Sequence, residues 1–234
     1  MVQAPPRTTV HGPTFVRLLA RLADVEVAPS RQTLSDRLSQ WLDWTHAIAL
    51  STALDGRPAS AETPAFGSAE EDECARVRAA LAQSIVGPRD AEPAADLTSP
   101  EAIDYAPFRQ RYLAMQRSMQ AATGNLRGRL RDLLAASSRD MARLAEVDAV
   151  MERALSPREQ TLLASVPGLL GKHFDRLRDA AAQVLPGEAA DPQAMPATAA
   201  WLEVFRKDMQ SVLLAELDVR FQPVEGLLAA LRTR

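Results

Sequence analysis

The fold is decided by the stretch from Pro107 to Leu155, which reads PFRQRYLAMQRSMQAATGNLRGRLRDLLAASSRDMARLAEVDAVMERAL. Its apolar and small residues recur at steps of mostly three or four, which is the period of a helix, and the alternation of a strand is absent. This spacing predicts one long amphipathic helix. The residues of its apolar stripe are Tyr112, Met115, Met119, Ala122, Leu126, Leu130, Leu133, Ser137, Met141, Leu144, Met151 and Leu155.

An unbroken helix over this stretch would span roughly 74 Å at about 1.5 Å per residue. Its weakest point lies at Gly124 and Gly128, because each interior glycine costs roughly 1 kcal/mol relative to alanine. We therefore expect an elongated helix that bends, if anywhere, near these glycines. Their spacing also favours close packing against another helix, and the arginines beside them exclude a bilayer.

Composition points to helices throughout the chain of 234 residues. Apolar residues make up 47% but aromatic residues only 5%, which suits helices packed through alanine and leucine better than a β-sandwich. The net charge of −3 argues against a globally basic nucleic-acid binder. Cys74 is the single cysteine, so no intramolecular disulfide or thiolate metal cluster forms.

Proline, glycine and acidic stretches divide the chain. We predict a flexible arm over 1–12, an N-terminal helical hairpin over 13–55, an acidic helix with flexible flanking loops over 56–106, and a bundle of long helices over 107–234. The second helix of the hairpin is predicted to begin at Ser30 or Thr33 and to run to Leu54. Its apolar stripe comprises Leu34, Leu38, Trp41, Leu42, Ile48 and Leu54.

Start and stop signals place the remaining helices. Ser68 and Glu71 have the spacing of a capping box, and Gly87 ends that helix. Pro157 is predicted to start a helix, Pro167 to kink or restart one, and Pro223 to kink the last helix, which begins near Ala197. A linker is expected over 186–196. The predicted fold is all-α, with the N-terminal hairpin followed by an elongated antiparallel bundle.

Candidate catalytic groups are few. His46 follows Asp43 by three residues and Ser51 lies one to two turns further, which superficially resembles part of a hydrolase triad. The strained turn that exposes a serine nucleophile in such enzymes is absent, so a helical histidine beside a carboxylate is favoured. Cys74 lies near Glu70 to Glu73, which should raise the pKa of its thiol. No catalytic residue, metal site or cofactor is predicted.

Charge is distributed unevenly. Between Phe108 and Arg139 seven arginines face one acid, whereas residues 55–104 carry eleven acids and four arginines. Arg127, Arg129 and Arg131 are therefore candidates for binding an anion or a nucleic acid. Because aromatic residues that could stack on bases are missing from the stretch, a solvated face neutralised by the acidic segment or by a partner is favoured.

The N-terminal stretch carries a family resemblance. Residues 12–24, GPTFVRLLARLAD, and 30–51, SRQTLSDRLSQWLDWTHAIALS, resemble the proteobacterial family DUF3348. Members of that family look to be encoded beside envelope proteins of OmpA and motor-stator-like type. The resemblance names no catalytic residue, and it implies a cytoplasmic accessory subunit of an envelope complex.

The leading functional hypothesis is a non-enzymatic interaction or scaffold protein. Its long apolar stripe would recognise a partner helix, with Trp41, Trp44 and Trp201 as candidate anchors, although burial in the core is the simpler explanation for each. The partner is a protein, and a second copy of the chain is one candidate. Without a signal peptide or a long apolar run, we expect a cytoplasmic location and no membrane insertion.

Overall fold

The computed structural model describes residues 14–25, 32–56, 67–87, 103–183 and 197–233. Within these ranges every regular element is a helix and no strand occurs, which confirms the predicted all-α class. The helices are α1 (Thr14–Ala23), α2 (Leu34–Trp41), α3 (Trp44–Asp55), α4 (Ser68–Val86), α5 (Ala106–Ser137), α6 (Arg139–Leu163), α7 (Val166–Gln183) and α8 (Ala197–Arg232). The predicted arm over 1–12, most of the two loops and the linker lie outside the described residues.

The chain forms two compact units. Of the described residues, unit 1 comprises 14–25, 85–87, 103–114, 165–183 and 197–216, and unit 2 comprises 32–56, 67–84, 115–164 and 217–233. This division crosses the predicted domains, because α1 packs on α7 in unit 1, whereas α3 packs on α6 in unit 2. Helices α5 and α8 contribute residues to both units.

Unit 1 is built around aromatic rings. The ring of Phe174 on α7 lies 5.0 Å between centroids from both Trp201 and Phe205 of α8, in edge-to-face geometry. Tyr105 and Phe108, at the start of α5, complete the cluster at centroid distances of 5.5 and 5.8 Å from Phe174. Such tilted and edge-to-face arrangements place the positive ring edge against a negative ring face.

The predicted single helix over 107–155 is wrong, because it breaks at Ser138. This residue has extended backbone angles (φ −150, ψ 164), and its hydroxyl accepts a hydrogen bond from the amide of Met141. Serine is a favoured N-cap because its side chain satisfies an amide that has no partner within the helix. Helix α5 passes through Gly124 and Gly128, where an added Cβ would meet no atom within 4 Å, so the predicted close packing there is absent.

Unit 2 contains α5 and α6 as an antiparallel hairpin. Arg127 pairs with Asp148, and the side-chain amide of Gln116 donates to the carbonyl of Leu163 at 3.1 Å. From Arg127 back to Gln116 on α5, the contacted residue on α6 moves forward from Asp148 to Leu163, which is the pattern of antiparallel helices. Leu134 is fully buried in place of the predicted Leu133, and Ala145 is buried in place of Leu144.

The predicted second helix is also two helices. Thr33 caps α2 with both bonds of a capping box to Asp36, which confirms one of the two predicted starts. At Leu42 the backbone becomes extended, and the side chain of Asp43 then caps α3 by accepting from the amide of His46 at 2.8 Å. An aspartate that caps a new helix stops the old one, because an N-cap residue has non-helical angles.

One proline prediction is wrong and one is confirmed. Pro157 lies inside α6 rather than starting a helix. Pro223 lies inside α8, which continues to Arg232, and the kink predicted there stays a prediction. Packing outweighs the loss of about 3 kcal/mol that an interior proline causes, because Ala154 and Leu163 are buried on either side of Pro157. The predicted restart at Pro167 is found, since α7 begins at Val166. The cap of α4 is shifted by one residue, from Ser68 and Glu71 to Gly67 and Glu70.

Candidate interaction surface

Helix α3 exposes large apolar side chains on one face. Trp44 is 80% exposed, Ile48 51% and Leu54 56%. At 100° per residue these positions fall within one third of the helix circumference, so they form a single stripe. The opposite side of α3 packs on α6 and buries Ala53. We call Trp44, Ile48 and Leu54 the α3 face.

The α3 face is apolar and lies on a helix with few charged residues. From Trp44 to Leu54 the sequence contains no aspartate, glutamate, lysine or arginine, and its polar side chains are Thr45, His46, Ser51 and Thr52. Large apolar side chains grouped on one side of a helix are normally buried against another element. Anionic lipids and nucleic acids are recognised through basic side chains, which α3 lacks. The arrangement fits burial against another apolar surface.

The suspected triad residues perform structural roles. The amide of His46 donates to Asp43, and this backbone hydrogen bond is the main reason why the pKa of the Asp43 carboxyl lies below its usual value. The hydroxyl of Ser51 donates to Asp55 at 3.3 Å. The hydroxyl of Ser51 therefore bonds to Asp55 rather than to His46, and the described contacts do not link Asp43, His46 and Ser51 into a triad.

The other two candidate anchors are placed differently from Trp44. Trp201 is 6% exposed and belongs to the aromatic cluster of unit 1, so it is core. Trp41 is half-buried in unit 2, where the guanidinium of Arg158 lies 5.8 Å above its ring centroid. Of the three predicted anchors, Trp44 alone presents its ring to solvent.

The arginines of α5 contact carboxylates. Arg127 binds Asp148 through two nitrogens at 2.7 and 2.8 Å, and both side chains are only 15% exposed. Arg131 contacts Asp148 at 3.3 Å and Glu152, and Arg129 lies 3.5 Å from Glu73. The sequence predicted that the charge of these arginines is neutralised by the acidic segment or by a partner. Glu73 of the acidic segment neutralises Arg129. The neutralisation of Arg127 and Arg131 by α6 was not predicted.

Electrostatics reinforce the pair at Arg127. Burial lowers the pKa of its guanidinium, but the hydrogen bond and charge of Asp148, together with the charges of Glu152 and Glu159, outweigh burial and raise that pKa above its usual value. The thiol of Cys74 also has a raised pKa, as predicted, but burial is the largest cause and the acidic neighbours are lesser ones.

The described ranges contain neither a metal-binding cluster nor a membrane-spanning helix. There, no group of three or more histidine, cysteine, aspartate or glutamate side chains is arranged to hold a metal ion. None of the described helices combines the length and apolar composition needed to cross a bilayer.

The predicted apolar stripe of the second helix included Ile48 and Leu54, but neither residue was predicted as part of an interaction surface. A signal was available, because an eleven-residue stretch without a charged side chain has two apolar faces rather than one. The prediction of one helix through Trp41 and Leu54 hid that signal, because it assigned the apolar residues of α2 and α3 to a single stripe.

Fold and surface together define an all-α helical protein with one exposed apolar helix face. The chain belongs to the DUF3348 family, described as "Protein of unknown function", whose family model matches residues 1–233. This confirms the resemblance found at the N-terminus and extends it over essentially the whole chain. Neither a curated protein nor a solved structure gives a match.

Proposed function

We propose that this protein is a non-enzymatic helical scaffold that binds a partner protein through the α3 face. The observation that carries the proposal is the exposure of Trp44, Ile48 and Leu54 together on one helix. Large apolar side chains grouped at a surface mark interaction sites, and tryptophan is the residue most enriched among those that dominate binding energy.

The occupant we propose is an apolar helix of another protein. A stripe one third of the helix circumference wide matches the contact that two packed helices make. The lack of basic side chains on α3 disfavours a lipid surface or a nucleic acid. The ion pairs of Arg127 and Arg131 likewise weigh against the anion-binding alternative, because a phosphate would compete with carboxylates already in place.

We further propose that the partner is part of an envelope-associated complex and that the protein is an accessory subunit on its cytoplasmic side. This proposal rests on the family resemblance, whose members look to be encoded beside envelope proteins. It names a class of partner and leaves the α3 face as the point of contact.

The test is site-specific photo-crosslinking in the native host. A benzoylphenylalanine at position 48 should crosslink a defined protein, and the same group at the exposed position 204 of α8 should not. The captured protein is then purified, and its affinity is measured with Trp44→Ser and with Val204→Ser. We expect a loss of roughly tenfold or more for Trp44→Ser alone, persisting at high salt. Equal affinity of both variants, or a band from both positions, would reject the proposal.

A further inference from the structure

Unit 2 contains a cavity separate from the α3 face. It has a volume of about 620 Å³ and is lined by residues from α2, α5, α6 and α8. That volume falls in the range of roughly 300 to 1,000 Å³ typical of sites for small organic molecules. Its apolar wall includes Trp41, Leu155, Leu162, Val219, Pro223 and Val224.

The charged lining residues are balanced except for one arginine. Arg220 lies 3.3 Å from Glu159, and Arg127 lies 3.5 Å from Glu152, so each of the two acids in the lining has an arginine partner. Arg158 is the third arginine of the lining, and no carboxylate of the described chain lies within ion-pair distance of it. Its guanidinium lies over the Trp41 ring.

Arg158 is exposed, and the carbon of its guanidinium lies 5.8 Å from the centroid of the Trp41 ring. A guanidinium held over an aromatic ring keeps nitrogen edges with which to bind an anion. Carboxylates bind such an edge through two parallel hydrogen bonds. The ring of Trp41 therefore holds Arg158 at the border between the apolar wall and solvent.

Gly124 keeps one side of the cavity open. It lines the cavity from α5, and an added Cβ would meet no atom within 4 Å, so a side chain there would extend into open space. Gly128, one turn further on the same helix, also has no atom within 4 Å of an added Cβ but is not part of the lining. The two glycines form a matched pair for testing the cavity.

We propose that this cavity binds a small amphipathic carboxylic acid. The apolar chain of the ligand lies against Trp41, Leu155 and Pro223, and its carboxylate pairs with Arg158. A neutral ligand of the same shape loses the ion pair, and a cationic one is repelled by the excess positive charge. This site is independent of the partner proposed for α3.

The experiment is calorimetric titration of the full-length protein with decanoate, decanol and decyltrimethylammonium. We expect saturable binding of one decanoate per chain, binding of decanol weaker by roughly tenfold or more, and none of the cation. Arg158→Gln should weaken decanoate to the level of decanol. Arg153→Gln, at an exposed arginine on the same helix outside the lining, should leave it unchanged.

The glycine pair tests the cavity itself. Gly124→Met should abolish decanoate binding by filling the space, and Gly128→Met should retain it, while both variants remove a helix-weakening glycine and should keep the helical circular dichroism. No saturable decanoate binding, equal binding of decanol, or full binding by either Gly124→Met or Arg158→Gln would overturn the proposal.

Discussion

Unit 1 buries a cluster of aromatic rings, whereas unit 2 contains most of the arginine–carboxylate pairs that join described helices. The contacts between two rings found among the described residues all fall in unit 1, on Tyr105, Phe108, His173, Phe174, Trp201 and Phe205. In unit 2, α4 is tied to α8 by Arg78 and Arg232, and α5 to α6 by Arg127 and Arg131. The composition of the whole chain does not reveal this difference between the two units.

The difference also shows where the arginines of α5 are used within the fold. Arginines clustered on a helix resemble a binding surface in the sequence, but in unit 2 they are contacts between helices. Bidentate guanidinium–carboxylate pairs are directional, so they fix the register of two helices more sharply than apolar contact does.

The largest expected effect is that of Phe174→Ala in unit 1. The ring is fully buried, and its removal leaves a cavity beside Trp201 and Phe205, so we expect the free energy of unfolding to fall by about 3 to 5 kcal/mol. Urea unfolding followed by circular dichroism measures this loss. Val204→Ala, at an exposed position on α8, should change it by less than about 0.5 kcal/mol. A similar result for both variants would show that the rings do not dominate unit 1.

A smaller loss is expected for Arg127→Met in unit 2. Asp148 and Glu152 would remain partly buried without this partner, and we expect a loss of about 2 to 3 kcal/mol by the same unfolding assay. Asp148→Asn should lower the free energy of unfolding by less in the Arg127→Met variant than in the wild type, because the two groups act on each other. Arg139→Met, at an exposed position, is the control. Strict additivity of the two changes would indicate that the pair is unimportant.

Unit 1 should also respond to alkaline pH through Tyr105. Burial raises the pKa of this phenol to about 12, against 10 for an ordinary tyrosine. Because the folded state holds the proton more tightly, the stabilisation is complete below pH 10 and is lost as the pH rises towards 12. Unfolding measured across this range should show a steeper decline for the wild type than for Tyr105→Phe. Parallel declines would contradict the assignment.

The smallest effect is expected at Trp44, outside both sets of contacts. Its side chain is mostly exposed, so Trp44→Ser should change the free energy of unfolding by less than about 0.5 kcal/mol. Thermal unfolding of the isolated protein measures this change. A large loss would place the ring in the folded core and remove it from the α3 face.

Helical periodicity was sufficient to predict the all-α class and several helix ends, such as the Thr33 cap. It was insufficient at Ser138, because a break of one residue leaves the phase of the apolar stripe almost unchanged. Ser138 is a favoured N-cap residue, and Asp140 lies in the first turn of the helix that follows, so together they have the signature of a helix start. The prediction placed the weakest point of the stretch at Gly124 and Gly128 and therefore missed this signature.

The candidate surface was predicted only in part. Trp44 was named from the sequence, but its exposure depends on which side of α3 packs on α6, and a helix without charged side chains from Trp44 to Leu54 does not encode that choice. Arg158 was not named, because its position over Trp41 brings together residues from separate helices. Such juxtapositions follow from tertiary packing, which periodicity along one helix cannot supply.

The break at Ser138 has a consequence for the order of folding. It brings Arg127 and Asp148 together across only 21 residues, whereas α1 is held by bonds from Arg176 to Leu22 and from Arg21 to Asp208, across 154 and 187 residues. The entropy lost on closing a loop grows with its length, so the α5–α6 hairpin is the less demanding nucleus. During synthesis, α1 leaves the ribosome well before its partners on α7 and α8, so we expect it to pack later than the α5–α6 hairpin.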